Sequence, residues 1–337
     1  MSELSSQASG VANKRNHGAK LVTVFGGTGF LGRNVVRNLA KKGYQVRVAL
    51  RDVESGKFLR TMGEAGQVGL VQANVRDDAS VAAACLSADA VINLVGILYN
   101  SGKQTFEAVH EHAAGRIAAA AASAGASNMV QVSALGADAA ASSQYARSKA
   151  AGEQAVKEAF PSATIMRPSV LVGPEDSFFN SFGKMMALSP FMPLFVRELM
   201  DREGTRMQPV YVGDVAQAIC NSLDNADSRG ETYELGGDQI LSWRDCLNIT
   251  AHETQRLCIP IPIMLGIARF YAFFLEIMPV PLLTRDQVRS METDNVVAAN
   301  AKGLADLGIT ATPIEAVLPG YMARYRKPGR NPRLQTN

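Results

Sequence analysis

Gly26-Gly27-Thr28-Gly29-Phe30-Leu31-Gly32 directly follows the apolar run Leu21-Val22-Thr23-Val24-Phe25 and opens onto a stretch of helical periodicity. A strand, glycines at three-residue intervals and then a helix leave backbone N–H groups at the helix start free to bind a pyrophosphate. Gly26 permits the sharp turn. Gly29 lets phosphates approach the backbone alongside Thr28, Phe30 and Leu31, and Gly32 lets the helix pack against the strand.

Outward from this turn, short apolar runs alternate with amphipathic or alanine-rich stretches as far as Arg167, the rhythm of a parallel sheet covered on both faces. The pattern predicts strands over Leu21–Phe25, Gln45–Leu50, Val68–Gln72, Ala90–Leu94, Met129–Val132 and Thr164–Met166. It predicts helices over Leu31–Lys42, Val53–Met62, Ala79–Leu86, Phe106–Ala124 and Tyr145–Ala159. The expected fold is therefore α/β, a Rossmann-type doubly wound parallel sheet with a smaller, mainly helical C-terminal region. The expected division is a flexible arm over 1–20, a nucleotide-binding domain over 21–170, a smaller interleaved region over 171–323 and a loose tail over 324–337. Within the third part, Val210–Ala216 and Tyr233–Gly237 are expected to return to the first fold.

The chain has 337 residues, 47% hydrophobic and 19% charged, with a net charge of +3. That composition fits a globular protein with a sizeable core. No basic stripe interleaved with aromatics is present, so nucleic acid is excluded as a partner. Cys85, Cys220, Cys246 and Cys258 are scattered without a C-x-x-C pair, so they are expected to be reduced core residues, and no metal site is expected. The amino-terminal residues are polar, without the apolar segment of a secretory signal, and are expected to form a short arm; a bacterial source fits them better than a mitochondrial one.

Two constellations carry chemistry. At the end of the second predicted strand stands Arg51, where an NAD-preferring site usually has an acidic residue; a guanidinium suits a 2′-phosphate, so NADP(H) is expected over NAD(H). The neighbouring Asp52 is the alternative ribose contact. Asn74 and Val75 follow the third strand and are placed for the adenine, while Leu94-Val95-Gly96 should pass beneath a ribose. The second constellation is Tyr145 with Lys149, four apart and so on one helix face, and Ser133 after the fifth strand. A lysine beside a tyrosine favours the phenolate, which makes these three residues candidates for proton exchange with a carbonyl substrate.

Together with Ala151-Gly152-Glu153, Arg167-Pro168-Ser169 and Val212-Gly213-Asp214-Val215-Ala216, these residues resemble the short-chain dehydrogenase/reductase superfamily in its extended or atypical branch. Phe160–Ser169, Gly173–Phe182 and Gln208–Ala216 narrow the resemblance to the alpha-9 type accessory subunits of respiratory complex I (NADH:quinone oxidoreductase). The resemblance implies tightly bound NADPH as a structural cofactor, with Ser133, Tyr145, Lys149, Pro168 and Ser169 among its contacts. It also implies other complex I subunits as partners, support of assembly without hydride transfer, and a peripheral position at the membrane. That position would be the cytoplasmic face of a bacterial inner membrane or the matrix face of the mitochondrial one. One departure concerns the helix after the fourth strand. Many catalytic members have a proton-relay asparagine there, and this chain reads Val109-His110-Glu111-His112-Ala113-Ala114-Gly115. His110 and His112 are about 200° apart on a helix, so they are expected to pack or cap rather than share a metal. The alternative function is a free NADP-dependent reductase or epimerase working through Tyr145, Lys149 and Ser133.

The most apolar stretch is Ile259–Leu283, interrupted by Pro260, Pro262, Pro279 and Pro281. Its proline-free part, Ile263 to Met278, would make a helix about 24 Å long, short of the roughly 30 Å hydrocarbon core. Arg269 and Glu276 share one side of such a helix. The expectation is an element lying in the membrane interface or on a partner subunit.

Overall fold

The computed structural model describes residues 20–278 and 281–327. The expected amino-terminal arm, up to residue 19, and the expected tail from residue 328 lie outside the described residues.

Strand β1 (Leu21–Phe25) leads through the glycine turn into helix α1 (Phe30–Lys41), followed by β2 (Gln45–Leu50), β3 (Val68–Gln72), α2 (Asp78–Cys85) and β4 (Ala90–Asn93). A π-helical turn over Glu107–His112 opens α3 (Ala113–Ser123), and β5 (Asn128–Val132), α4 (Gln144–Ala159) and β6 (Thr164–Pro168) complete the first half. The chain then runs through β7 (Leu171–Val172), α5 (Phe178–Leu188), β8 (Phe191–Val196), β9 (Arg206–Met207), β10 (Val210–Tyr211) and α6 (Val212–Asp224) to β11 (Thr232–Leu235). It ends with β12 (Leu241–Ser242), α7 (Trp243–Thr254), β13 (Ile259–Met264), α8 (Leu265–Leu275), α9 (Arg285–Ser290) and, among the described residues, the short helices α10 (Ile314–Val317) and α11 (Pro319–Met322) flanked by single 3₁₀ turns.

The main sheet is parallel throughout, in the order β11-β6-β5-β4-β1-β2-β3. Every residue of β4 and β5 is buried, as central strands of a doubly covered sheet are, and the polar Asn93 donates to the Gln131 side chain at 2.8 Å. On one face α1 turns Leu31, Val35, Val36 and Leu39 against the sheet and against Val215 and Ile219 of α6. On the other face the small residues Ala114, Ala118 and Ala121 let α3 lie close to the sheet beside Ile117 and Val156. A separate core forms in the second half around Phe179, Phe182, Leu194 and Trp243. The Trp243 ring meets Phe182 edge-on at 5.4 Å, and its indole N–H donates to the Pro193 carbonyl at 3.0 Å.

The helix expected over Val53–Met62 is a 3₁₀ helix over Glu54–Met62. In the second half, Tyr233 lies within β11 of the main sheet and Val210–Tyr211 pairs with Leu171–Val172 in a separate ribbon, while Val210, Val212, Val215 and Ala216 pack in the first core. One sequence expectation is corrected, that of a single helix over Ile263–Met278. Its first two residues complete β13, and the helix that follows has 11 residues, about 16 Å. Alternating prolines, read as breakers, suit an edge strand. Ile259 donates to the Pro190 carbonyl at 2.7 Å, so the alternate residues Pro260 and Pro262 face away from β8 and no ladder donor is lost.

Candidate functional site

The strand order reverses between β1 and β4, and in open parallel sheets ligands bind outside the carboxyl ends of the strands at such a reversal. The glycine turn stands there. Gly26 has φ +80°, the left-handed region, and a Cβ on it would press on the Leu94–Val95 backbone at 3.0–3.2 Å. A Cβ on Gly32 would meet the Gly26 carbonyl oxygen at 2.2 Å, so only glycine lets α1 start this close to β1. Gly29 caps α1 without a side-chain hydrogen bond, and the first turn of the helix carries no acidic residue. The positive end of α1 thus meets the crevice without a protein anion of its own.

Around this turn, the Phe30 ring lies against Gly173 and Leu31 is buried beneath α1. Arg33 folds back to the Thr28 carbonyl at 3.1 Å, pairs with Glu175 and lies 5.4 Å over the Phe58 ring. Its Nε is buried without a partner among the described residues. Arg51 is exposed just past β2. Asp52 turns its carboxylate onto its own chain, accepting from Glu54 N–H at 2.9 Å. Asn74 and Val75 are half-buried, and the Asn74 side-chain oxygen accepts from Arg76 N–H at 3.2 Å. Leu94 and Val95 are held by the Phe25 carbonyl and the Asn93 side chain, each at 3.0 Å.

The Lys149 side chain reaches from α4 to the end of β5, where Ser133 follows, and faces the Tyr145 ring. Ser133 is 4% exposed and its Oγ has no hydrogen-bond partner among the described residues. Leaving such a hydroxyl unmet costs about 1–3 kcal/mol, which a ligand oxygen would relieve. Lys149 Nζ lies 3.4 Å from the Val132 carbonyl and 5.9 Å from the Tyr145 ring centre. Burial pushes the Tyr145 hydroxyl up to about 12 and the Lys149 ammonium down to about 8, the latter partly opposed by Glu153. Desolvation thus favours the neutral form of both groups and opposes the effect of the lysine on the phenol. Pro168 accepts from Leu135 N–H at 3.0 Å, and the Ser169 hydroxyl is taken by the Asn295 side chain at 2.5 Å.

His110, singled out in the sequence, is deeply placed here, and two acidic residues without a signal in the sequence also reach the site. His110 is 2% exposed and wedged between the loop after β4 and α4, whereas His112 is exposed. Asp286, 141 positions beyond Tyr145, accepts from the backbone N–H groups of Gln144 and Tyr145 at 2.6 and 2.9 Å and so caps α4 from the opposite end of the sequence. Glu175 reaches Arg33 in the same non-local way. No spacing rule announces such contacts. The cysteines, by contrast, sit as their apolar surroundings suggest: all four are free, with Cys85, Cys220 and Cys246 buried.

An all-parallel sheet, a glycine turn at its point of reversal and an uncapped helix start define a Rossmann-type NAD(P)-binding fold. The chain belongs to the NAD dependent epimerase/dehydratase family, whose model matches residues 22–236. It is 37% identical, over 92% of its own length and 79% of the other's, to NADH dehydrogenase (ubiquinone) 1 alpha subcomplex subunit 9, mitochondrial, of Arabidopsis thaliana. It is also 30% identical, over 69% of its length and 70% of the other's, to the ceramide reductase of Caulobacter vibrioides. Among solved structures, the triphenylmethane reductase of Citrobacter sp. superposes with a TM-score of 0.71 at 16% identity, covering 89% of this chain and 99% of that one. At that identity the likeness concerns the fold alone.

Proposed function

We propose that the chain is a nucleotide-binding accessory subunit of respiratory complex I that holds NADPH as a structural cofactor and supports assembly of the peripheral arm near the membrane. The observation that carries this reading is similarity over nearly the whole chain to a protein named as a subunit of that enzyme. The crevice adds its own support. The bare start of α1 suits the diphosphate; among the described residues Ser133 Oγ has no partner, and Arg51 rather than Asp52 is unengaged and available to a 2′-phosphate. A tightly held nucleotide stabilises the folded subunit by mass action, and its docking surface with it. When bound, NADPH supplies a hydride donor; the chain's residues hold its phosphates at the glycine turn and its ribose near Lys149.

Contact with the membrane belongs to the same proposal. No helix among the described residues is long and apolar enough to cross a membrane. Yet α8 buries only Leu265, Ala268 and Ala272, while Phe270, Tyr271, Phe273 and Phe274 are at least half exposed. Arg269 and Glu276 are engaged with Glu292 and Arg285. Such an apolar face beside paired charges suits the interface of a membrane, on the cytoplasmic side in a bacterium or the matrix side in a mitochondrion, or a neighbouring subunit.

The deciding experiment is recovery of the tagged protein from gently solubilised membranes, with the mass of the particle and the nucleotide released on denaturation both determined. A very large NADH-oxidising assembly that releases NADPH supports the proposal; a free monomer or small oligomer overturns it. The second reading, a free NADP-dependent reductase, is favoured by one observation, the unpartnered Ser133 hydroxyl beside Tyr145 and Lys149. Turnover of NADPH with carbonyl substrates by the isolated chain separates the two.

A further inference from the structure

His110 is placed with more care than a packing residue needs. Its Nε2 accepts from the Ile97 backbone N–H at 3.0 Å. A backbone amide can only donate, so the neutral ring carries its proton on Nδ1. That proton is donated to Ser148 Oγ at 2.9 Å, and the Ser148 hydroxyl donates in turn to the Tyr145 carbonyl at 2.8 Å. The chain of bonds runs one way, from the loop after β4 through the imidazole to the first turn of α4. Three local features converge on it. The π-helical turn over Glu107–His112 shifts the face of this segment, and such turns are frequent at functional sites. A Cβ on Gly152 would come within 1.9 Å of the His110 carbonyl oxygen, so only glycine admits the turn against α4. A Cβ on Gly96 would lie 3.6 Å from His110 Nε2 and 3.3 Å from Lys149 Nζ, which places the loop, the imidazole and the lysine in one contact. The ring itself is packed between Phe106, stacked at 5.3 Å, and Tyr145, edge-on at 5.4 Å.

We infer that His110 is the positioning residue of the nucleotide site: its two ring bonds lock the Leu94–Ile97 loop to the helix that carries Tyr145 and Lys149. The inference rests on the reading that a dinucleotide occupies the crevice between β1 and β4. In that arrangement the loop and Lys149 stand together on one side of the crevice, and the imidazole fixes their relative position. His110 stands in the segment where catalytic members have a relay asparagine, but here every polar atom of the side chain is committed to structure.

Conservative variants separate the two bonds. Gln at this position keeps an acceptor near Nε2 for Ile97 and gives up the Ser148 bond; Asn keeps a donor near Nδ1 for Ser148 and gives up the Ile97 bond. The measurement is the rate at which bound NADPH leaves the purified full chain, followed by nicotinamide fluorescence, for the wild type, His110→Gln, His110→Asn, Ser148→Ala and His110→Gln/Ser148→Ala. Loss of one such bond should speed release by about tenfold. His110→Gln and Ser148→Ala remove the same link, so the double variant should release no faster than either single one. Nitrogen-15 spectra of the wild-type imidazole should show the Nδ1–H form. Rates that multiply in the double variant, unchanged release in all four variants, or an Nε2–H ring each overturn the inference. If a single variant unfolds, the remaining variants and the ring spectrum still decide. Failure of the wild type to bind NADPH would instead overturn the reading beneath it.

Discussion

Exchanging glycine for alanine should move stability in opposite directions at two helical positions. In the interior of an exposed helix the exchange gains up to about 1 kcal/mol, because alanine loses less conformational freedom on folding. Gly266, in the first turn of α8, has nothing within 4 Å of an added Cβ, so Gly266→Ala should realise part of that gain, about 0.5 kcal/mol. Gly152 is different. Its Cβ would stand 1.9 Å from a backbone oxygen, where real Cβ atoms essentially never come within 3.0 Å. Neither α4 nor the π-helical turn is the flexible end of a side chain, so both must shift. Overpacking of this kind costs about 1–3 kcal/mol, and a backbone contact belongs at the upper end. With the helix gain subtracted, Gly152→Ala should lose about 2 kcal/mol. In a domain of this order that lowers Tm by about 4–8 °C, while Gly266→Ala raises it by about 1–2 °C. Thermal unfolding followed by circular dichroism reads both, and NADPH retention should fall in Gly152→Ala alone. Shifts of the same sign, or a Gly152→Ala protein with unaltered Tm and unaltered nucleotide retention, would refute the reasoning.

Other outcomes follow from the same geometry. Arg51→Ala should weaken NADPH binding by tenfold or more while sparing NADH, measured by calorimetric titration of the nucleotide-free chain; equal losses for both would remove Arg51 from the 2′-phosphate. Tyr145→Phe should leave NADH oxidation by the assembled enzyme unchanged, and a large drop without loss of assembly would favour catalysis at this site. Replacing Phe270 and Phe274 together by Glu should release the protein from the membrane fraction without altering its Tm, since both rings are exposed. Acid should destabilise the fold through His110. Its ring is held neutral, down to about 3, by burial and then by the Lys149 charge, against an ordinary value of 6.5. The stability tied to that neutral ring is complete above pH 6.5 and is lost as the pH falls from 6.5 towards 3, by up to about 1.4 kcal/mol per unit. Urea unfolding between about pH 6.5 and 4.5, above the carboxylate range, should show this slope in the wild type and a flatter one in His110→Gln.

Much of the first half of the fold was legible because its signals are local. β1, β2 and β3 span the residues expected of them, since in each the β-branched and leucine residues cluster between turn-forming or polar flanks. The glycine turn was legible for a similar reason, because each glycine answers to a contact within seven residues or with the adjoining strand. The second half was harder. β8 and β13 pair across some 70 residues, and the prolines of β13 speak against a strand until the free edge is known. Periodicity carried the helix of this segment too far towards its amino end, where Ile263 and Met264 complete a ladder instead. At the site, Tyr145 and Lys149 were legible from their spacing. The depth at which both are buried was not, because it depends on elements far apart in the sequence. His110 is a related case: its role depends on Ile97 and Ser148, neither of which stands out in the sequence.

The prolines of β13 also bear on how the chain survives before it is assembled. A subunit that displays Phe270, Tyr271 and Phe274 while waiting for its place is at risk of sticking to its own kind, and an open strand edge beside such a face would invite stacking into fibres. Pro260 and Pro262 leave that edge without N–H groups at alternate positions, so another strand cannot be added there. In the proposed docking role, the surface can be apolar enough to meet a neighbour and still be a poor template for aggregation beforehand.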